Sequence, residues 1–216
     1  MVDLPLADRQ TAGKLLGRAL ITRIQTGPNT LVLGLVRGGA MVAKHLADTL
    51  TVSWDIILVS KLGSPIQPEY ALGAYVESGQ AIVNRPALME LGLDDDWIEL
   101  AKLRAREKQD RLHHELRGNR SRPQLQGRDL ILCDDGIATG YTMRAAIDAA
   151  LLADPASLIL AVPVLPPNAL RQFTGMGIKI CYLACPRQFH AVGQFYRDFT
   201  PVDTRDIQQL LLTRKA

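Results

Sequence analysis

Continuous apolar runs alternate with stretches of helical spacing along this chain, and no other feature constrains the fold as strongly. The runs occupy 31–36, 54–59, 130–133, 158–164 and 179–183. Strands that are apolar on both faces are typical of parallel sheets, because the crossover helices cover both faces. The pattern therefore predicts an α/β fold with a central, mostly parallel sheet flanked by helices.

Helix signals stand between these runs. Asp8 precedes apolar residues at helical spacing and is a plausible N-cap, and this first helix should end near Gly27. The segment 94–117 begins with acids, ends with an arginine and is heavily charged, which predicts an inserted amphipathic helix with a solvated face.

One segment breaks the alternation. Residues 61–84 are rich in glycine, proline and polar side chains, yet 71–76 and 81–83 keep the character of short strands. The composition favours a long flexible loop flanked by strands, and long loops of this kind include lids over binding sites. We find no domain linker, so the prediction is a single domain over 1–216.

Composition excludes several classes of protein. The chain has 216 residues, 47% of them hydrophobic and 22% charged, which is unlike disordered or collagen-like sequence. A net charge of +3 is too small to indicate a nucleic-acid groove, and no stretch approaches the ~20 apolar residues of a transmembrane helix. Three cysteines do not make a disulfide scaffold. We expect a cytoplasmic protein without a nucleic-acid or membrane partner.

The chemistry concentrates after the run 130–133. Two adjacent acids, Asp134 and Asp135, follow it directly, and a loop then opens a helix. Glycines let the backbone approach an anion, threonine hydroxyls donate, and a helix N-terminus adds positive charge, so the loop suits a phosphate. The carboxylates suit sugar hydroxyls or a divalent cation instead. The loop residues in question are Gly136, Ala138, Thr139, Gly140, Tyr141 and Thr142.

Other interpretations of this loop remain open at this stage. The loop lacks the Gly-Lys-Ser/Thr ending of an NTP-binding loop and the G-x-G-x-x-G pattern of a dinucleotide site. An acidic pair at a strand end also occurs in magnesium-dependent phosphatases and receiver domains. An ordinary turn that uses aspartate and glycine for geometry alone is a further alternative.

The whole stretch 130–142 resembles the phosphoribosyl pyrophosphate (PRPP) signature of the type I phosphoribosyltransferases. The resemblance implies that Asp134 and Asp135 bind the ribose hydroxyls and that Ala138–Thr142 hold the 5′-phosphate. It also implies Mg²⁺ carried chiefly by the pyrophosphate, so that the acidic pair contacts the metal only indirectly. We call residues 136–142 the phosphate loop from here on.

The resemblance extends to an earlier turn. Arg37, Gly38 and Gly39 occupy the place of the family's pyrophosphate loop at the end of a strand, where open α/β sheets bind ligands. Lys61 stands where relatives carry a basic pair that contacts pyrophosphate. The segment 64–79 takes the position of the family's mobile catalytic loop, with Lys61, Glu69 and Tyr70 as candidate contacts, although a merely structural excursion is the alternative.

Near the C-terminus, 185–200 is similar to the base-covering hood of the hypoxanthine-guanine members. The match implies that Phe189 stacks on a base, that neighbouring backbone groups contact the base edge, and that Arg197 reaches pyrophosphate. The alternative is that the aromatic residues simply close the core. Two departures stand against a 6-oxopurine: Ala138 replaces the family's acid, and no lysine lies near 161–164.

Together these resemblances imply transfer of the 5-phosphoribosyl group from PRPP to a nitrogenous acceptor, a nucleobase being the expected kind, with release of pyrophosphate. The full pattern is most similar to bacterial phosphoribosyltransferases of undefined acceptor. A PRPP-binding regulator without transfer activity is the alternative, and hydrolysis of a phosphorylated sugar is a third hypothesis. Family members are commonly dimers, so we expect a homodimer, with Arg9 or the 94–117 helix at its interface.

Overall fold

The computed structural model describes residues 2–65, 71–76 and 81–213. Fifteen helices and strands and one 3₁₀ turn follow each other in these ranges. They are α1 (Arg9–Ile21), β1 (Thr30–Leu35), α2 (Gly38–Leu50), β2 (Ser53–Ile57), β3 (Val59–Gly63), β4 (Ala71–Val76), β5 (Ala81–Val83), α3 (Arg85–Glu90), α4 (Asp95–Arg117), β6 (Asp129–Cys133), α5 (Tyr141–Leu152), β7 (Ser157–Val164), α6 (Pro167–Thr174), β8 (Lys179–Ala184), the 3₁₀ turn (Val192–Phe195) and α7 (Thr204–Leu212).

A five-stranded sheet forms the centre of the molecule. Its order is β2-β1-β6-β7-β8, and every neighbouring pair is parallel. Alternate strand residues feed two separate apolar clusters, one that includes α1 and α2 and one that includes α5 and α6. Both faces are thus covered by helices, which confirms the α/β prediction from the apolar runs.

The segment 61–84 contains the two short strands that the sequence predicts at 71–76 and 81–83. The strands β3, β4 and β5 form a second, antiparallel sheet. β4 and β5 approach closely because Gly73 has no side chain: a Cβ there would lie 2.2 Å from the carbonyl oxygen of Ile82. Residues 66–70 and 77–80, which connect these strands, lie outside the described residues, so the flexible loop itself stays a prediction. Glu69 and Tyr70 lie outside the described residues.

The first helix is shorter than predicted. Its start is confirmed, since the Asp8 carboxylate accepts a hydrogen bond from the Thr11 amide at 2.6 Å. It ends at Ile21 rather than near Gly27. Leu20 is the last helical residue buried in the core, and its carbonyl accepts from the amides of Arg23 and Ile24, which closes the helix there.

The charged helix α4 is present where predicted, but part of it is buried. Arg117 is fully enclosed and makes an ion pair with Asp55 of β2 at 2.6 Å, while its other amino group donates to the Ile56 carbonyl at 2.7 Å. Gln109 donates to the carbonyls of Leu58 and Tyr75. The solvated interpretation therefore holds only for the outer face, and these buried polar contacts fasten α4 to both sheets.

Parallel strands bring the turns that follow them to one edge of the sheet. The turn after β1 and the loop after β6 are neighbours there, because β1 and β6 pair side by side. Among the described residues, no helix is both long enough and apolar enough to cross a bilayer.

Candidate functional site at the carboxyl edge of the sheet

The turn after β1 and the acidic pair after β6 meet at the sheet edge. In the register between β1 and β6, Gly34 lies opposite Cys133. Gly38 and Gly39 therefore lie beside Asp134 and Asp135. The glycines after β1 and the acids after β6, which the sequence predicts as two separate ligand contacts, are thus neighbours in the structure.

The contact between the two segments requires glycine. A Cβ on Gly38 would lie 1.9 Å from Oδ2 of Asp135, and one on Gly39 would lie 2.8 Å from the Cys133 carbonyl oxygen and 2.9 Å from Oδ1 of Asp134. Any side chain at either position would occupy the space of the carboxylates or of the strand end. The turn and the acidic pair therefore form one continuous surface.

Asp134 sits in an environment that disfavours its charge. Burial and the neighbouring charge of Asp135 raise the pKa of Asp134 well above its usual range. The backbone amide of Asp135 donates to Oδ1 of Asp134 at 2.9 Å, and the backbone of Gly39 supplies a further hydrogen bond. These amides hold the side chain in place, so the carboxyl is ready to accept a hydrogen bond from a ligand hydroxyl without rearranging.

Asp135 is paired with a residue for which the sequence analysis predicts no ligand role. Nε of Arg9 donates to Oδ2 of Asp135 at 2.7 Å, with the two side chains only 11% and 14% exposed. Burial raises the pKa of Asp135, and the Arg9 guanidinium works against that rise. Arg9 therefore faces the acidic pair. Its place at a dimer interface stays a prediction.

The phosphate loop opens toward solvent. Gly140 has φ +82°, which an L side chain rarely adopts, and a Cβ there would lie 3.0 Å from the ring of Phe173. Within the described chain, α5 begins at Tyr141 without a side-chain cap on its first amides. Four loop residues, Ala138, Thr139, Tyr141 and Thr142, are exposed, whereas Ile137 is buried. The first turn of α5 is therefore available to an anion.

Gly136 anchors the start of the phosphate loop. A Cβ on this residue would lie 2.5 Å from the side chain of Val192, and the next amide, of Ile137, donates to the Val164 carbonyl at 2.9 Å. Val192 belongs to the hood, the name we give to residues 185–200. The hood consequently lies directly over the end of β6.

The two predicted basic contacts occupy different surroundings. Arg37 is exposed and immediately precedes α2, and the peptide bond between Val36 and Arg37 is cis. Lys61 is half-buried in β3, which continues from the carboxyl end of β2. Arg37 is thus next to Gly38 and Gly39, which we call the glycine turn. Lys61 belongs to the antiparallel sheet of β3, β4 and β5, which we call the small sheet.

The hood packs against itself. Phe189 contacts Phe195 with ring centroids 4.7 Å apart and a tilt of 50°, within an apolar cluster. Arg197 is exposed, and its amide donates to the Leu6 carbonyl at 2.7 Å. The clustering of Phe189 matches the alternative in which the aromatic residues close the core.

The side chain of Gln194 binds hood backbone groups near Phe189, which were predicted to contact the edge of a base. Its side-chain oxygen accepts from the amides of His190 and Ala191 at 3.0 and 3.1 Å, and its amide nitrogen donates to the Gln188 carbonyl at 3.0 Å. An acceptor that used these three backbone groups would have to displace the Gln194 amide.

Two residues of this site were missed by sequence reasoning as ligand-site members. Arg9 directly follows an N-cap and looks like an ordinary charged helix residue. Tyr196, whose hydroxyl donates to the backbone carbonyl of Asp135 at 2.5 Å, looks like one of several core aromatics. Neither residue has a local sequence signal, because both reach the acidic pair from distant parts of the chain.

Comparisons with known proteins agree with this geometry. A family model described as the phosphoribosyl transferase domain matches residues 6–173. A Mycobacterium tuberculosis protein, named provisionally as a phosphoribosyl transferase, is 36% identical over 204 residues, which is 94% of this chain. This chain spans 46% of that relative's length.

Two solved structures are also similar. The crystal structure of a Thermus thermophilus protein superimposes with a TM-score of 0.84 at 36% identity, covering 97% of this chain and 98% of the other. The structure of an Aquifex aeolicus protein superimposes with a TM-score of 0.51 at 10% identity, covering 81% of this chain and 73% of the other, a likeness of fold alone. The Thermus protein matches the arrangement over nearly its full length.

Proposed function

This chain belongs to the phosphoribosyl transferase domain family, and on that premise we propose that it transfers the 5-phosphoribosyl group of PRPP to a nitrogen atom of an acceptor and releases pyrophosphate. The acceptor we propose is a nucleobase. In the reaction the bond between C1 of the ribose and the pyrophosphate oxygen breaks, and a bond from C1 to the acceptor nitrogen forms.

The observation that carries the proposal is the contact between the glycine turn and the acidic pair. PRPP bears a 5′-phosphate, two ribose hydroxyls and a pyrophosphate on one sugar ring. In the proposal the open first turn of α5 takes the 5′-phosphate, the side chains of Asp134 and Asp135 take the ribose hydroxyls, and the Gly38–Gly39 turn beside them takes the pyrophosphate.

The residues have separate tasks in this proposal. Asp134 and Asp135 accept hydrogen bonds from the ribose hydroxyls and fix the ring. The phosphate loop anchors the 5′-phosphate through backbone amides and the positive end of α5. Arg37 and Lys61, with the turn amides, receive the negative charge that develops on the departing pyrophosphate. Fixing both ends of the ligand aligns C1 for attack.

No residue needs to act as a nucleophile. Transfer of this kind passes through an oxocarbenium-like state, which water would trap, so exclusion of water matters more than a strong base. Ala138 offers no proton acceptor at the position where 6-oxopurine enzymes of the family carry an acid. We therefore favour an acceptor whose nitrogen is nucleophilic without a protein base at that position.

The residues present fit a magnesium ion that arrives with the ligand. The described residues contain no group of three or more histidine, cysteine or acidic side chains close enough to hold a metal by themselves. The two carboxylates, one already paired with Arg9, suit an outer contact to such an ion. When bound, Mg²⁺ would neutralise part of the pyrophosphate charge.

The proposal also covers the cellular compartment and the oligomeric state. The three cysteines are free thiols, which fits the reducing cytoplasm. We propose a homodimer on the family resemblance, and a small-molecule substrate rather than a nucleic acid or a membrane as the partner.

The first experiment measures pyrophosphate release from PRPP and Mg²⁺. Purine, pyrimidine and pyridine bases are supplied one at a time, beside a control without acceptor. Release with one base, together with formation of its ribonucleotide, supports the proposal and identifies the acceptor. Phosphate or pyrophosphate release without any acceptor would indicate hydrolysis instead.

Calorimetric titration with PRPP and Mg²⁺ completes the test. Binding without turnover on any base would favour the regulatory alternative, and salt-dependent DNA binding would strengthen it. Absence of both binding and turnover would refute the proposed function.

A further inference from the structure

Arg9 connects the acidic pair to the hood. Nε of Arg9 donates to Oδ2 of Asp135 at 2.7 Å, and its Nη1 donates to the Thr200 carbonyl at 2.8 Å. The guanidinium carbon also lies 3.8 Å from the centre of the Phe199 ring, a cation–π contact. One planar side chain thus touches a ribose-binding carboxylate and the last residues of the hood together.

The backbone next to Arg9 is paired with the hood as well. The Leu6 amide donates to the Phe195 carbonyl at 2.8 Å, and the amides of Arg197 and Asp198 donate to the carbonyls of Leu6 and Ala7 at 2.7 and 2.9 Å. This short ladder leads into α1 immediately before Arg9. The guanidinium therefore keeps its place relative to the hood through both its backbone and its side chain.

A second contact from the hood reaches the same aspartate. The Tyr196 hydroxyl donates to the backbone carbonyl of Asp135 at 2.5 Å, and burial raises the pKa of Tyr196, so the hydroxyl keeps its proton. Asp135 is consequently held at its carboxylate by Arg9 and at its carbonyl by Tyr196. Tyr196 belongs to the hood, and Arg9 is bonded to it.

We propose that Arg9 is a positioning residue that couples the hood to the ribose-binding carboxylate, so that order in the hood and binding of the ribose strengthen each other. The coupling rests on the proposed function for the identity of the ligand. It is reciprocal by thermodynamic necessity: if the hood orients Asp135 for the ribose, a bound ribose must also stabilise the hood.

The geometry explains why arginine is needed. Its fork supplies separate N–H groups to the Asp135 carboxylate and the Thr200 carbonyl, and its flat face covers Phe199. A lysine ammonium is a compact point charge that does not reproduce this planar span. The charge alone should therefore not replace the residue.

The test compares three single variants of the full chain. Arg9→Gln removes the charge, Arg9→Lys keeps the charge without the fork, and Arg18→Gln makes the matched change at an exposed position of the same helix. Calorimetric titration measures the affinity for PRPP with Mg²⁺. Both Arg9 variants should bind about 10- to 100-fold more weakly than wild type, and Arg18→Gln should bind as wild type does.

A double-variant cycle with Asp135→Asn isolates the pair. Asp135→Asn and Arg9→Gln should be non-additive, so the double variant should bind PRPP little more weakly than Asp135→Asn alone. Additive losses, or wild-type affinity in Arg9→Lys, would overturn the proposal. Circular dichroism spectra and melting curves establish that each variant is folded.

Hydrogen exchange without ligand separates coupling from a merely structural role. In Arg9→Gln the amides of Asp198 in the hood and Asp135 in the site should both exchange faster, and in wild type PRPP should slow both together. A change confined to the hood would overturn the coupling. If wild type fails to bind PRPP, the proposed function is wrong, while the ligand-free exchange still decides whether Arg9 links the two segments.

Discussion

Replacing Gly38 by alanine should weaken PRPP binding while leaving the fold largely intact. The new Cβ would lie 1.9 Å from Oδ2 and 2.6 Å from Cγ of Asp135, and 3.1 Å from Nε of Arg9. Ordinary contact begins near 3.4 Å, so the carboxylate must move by more than one ångström. That displacement breaks the 2.7 Å hydrogen bond from Arg9 and removes the carboxylate from the sugar.

The size of the effect follows from the interaction that is lost. A hydrogen bond to a charged group contributes about 1.5–3 kcal/mol, which corresponds to about 10- to 150-fold in affinity. Calorimetric titration with PRPP and Mg²⁺ measures this loss. Gly175→Ala is the matched control, because a Cβ there meets nothing closer than 3.4 Å and the backbone is already in the right-handed helical region.

The neighbouring glycine should behave differently. A Cβ on Gly39 would meet backbone atoms, the Cys133 carbonyl oxygen at 2.8 Å and the Asp134 Cα at 2.9 Å. Backbone moves less readily than a side chain, so Gly39→Ala should lower the melting temperature as well as the affinity. Wild-type PRPP affinity in a folded Gly38→Ala variant would refute this account of the site.

Three further changes test other parts of the structure. Asp134→Asn combined with Asp135→Asn should abolish pyrophosphate release in the base panel while the circular dichroism spectrum stays that of wild type, and full turnover would contradict the site assignment. Arg117→Met removes one partner of the buried ion pair with Asp55 and should lower the free energy of unfolding by about 3–5 kcal/mol. Calorimetry should show a melting temperature about 6–20 °C lower, and an unchanged melting temperature would contradict the pairing. Gln194→Ala should raise the hydrogen-exchange rates of the His190 and Ala191 amides, because these amides donate to the Gln194 side chain. Unchanged rates would show that these hydrogen bonds do not protect the hood backbone.

The fold was largely predictable because the signals for it are local. The apolar runs predicted all five central strands, and the stretch 130–142 indicated the family, which is confirmed. The short strands at 71–76 and 81–83 were predicted, but their pairing with Val59–Gly63 into an antiparallel sheet was not, since the close approach of Gly73 to Ile82 has no local sequence signal. The ligand roles assigned to the site residues, those of Lys61 and Phe189 included, remain predictions.

Long-range contacts set the limit of that reasoning. Arg117 belongs to a helix with many similar charges, and nothing in its neighbourhood distinguishes the one arginine that is buried against Asp55. Arg9 likewise meets Asp135 only once α1, β6 and the hood are assembled. Pairings of this kind depend on the packing of whole elements, which no short window of sequence contains.

The side-by-side pairing of β1 and β6 also has a consequence for folding kinetics. The glycine turn and the acidic pair belong to strands that are far apart in sequence, and the small sheet and α4 are made from the chain between them. Contacts of such separation form late, because a long loop must close first. During refolding, the capacity to bind a ligand should therefore appear only after β6 has joined β1, however early the individual helices form.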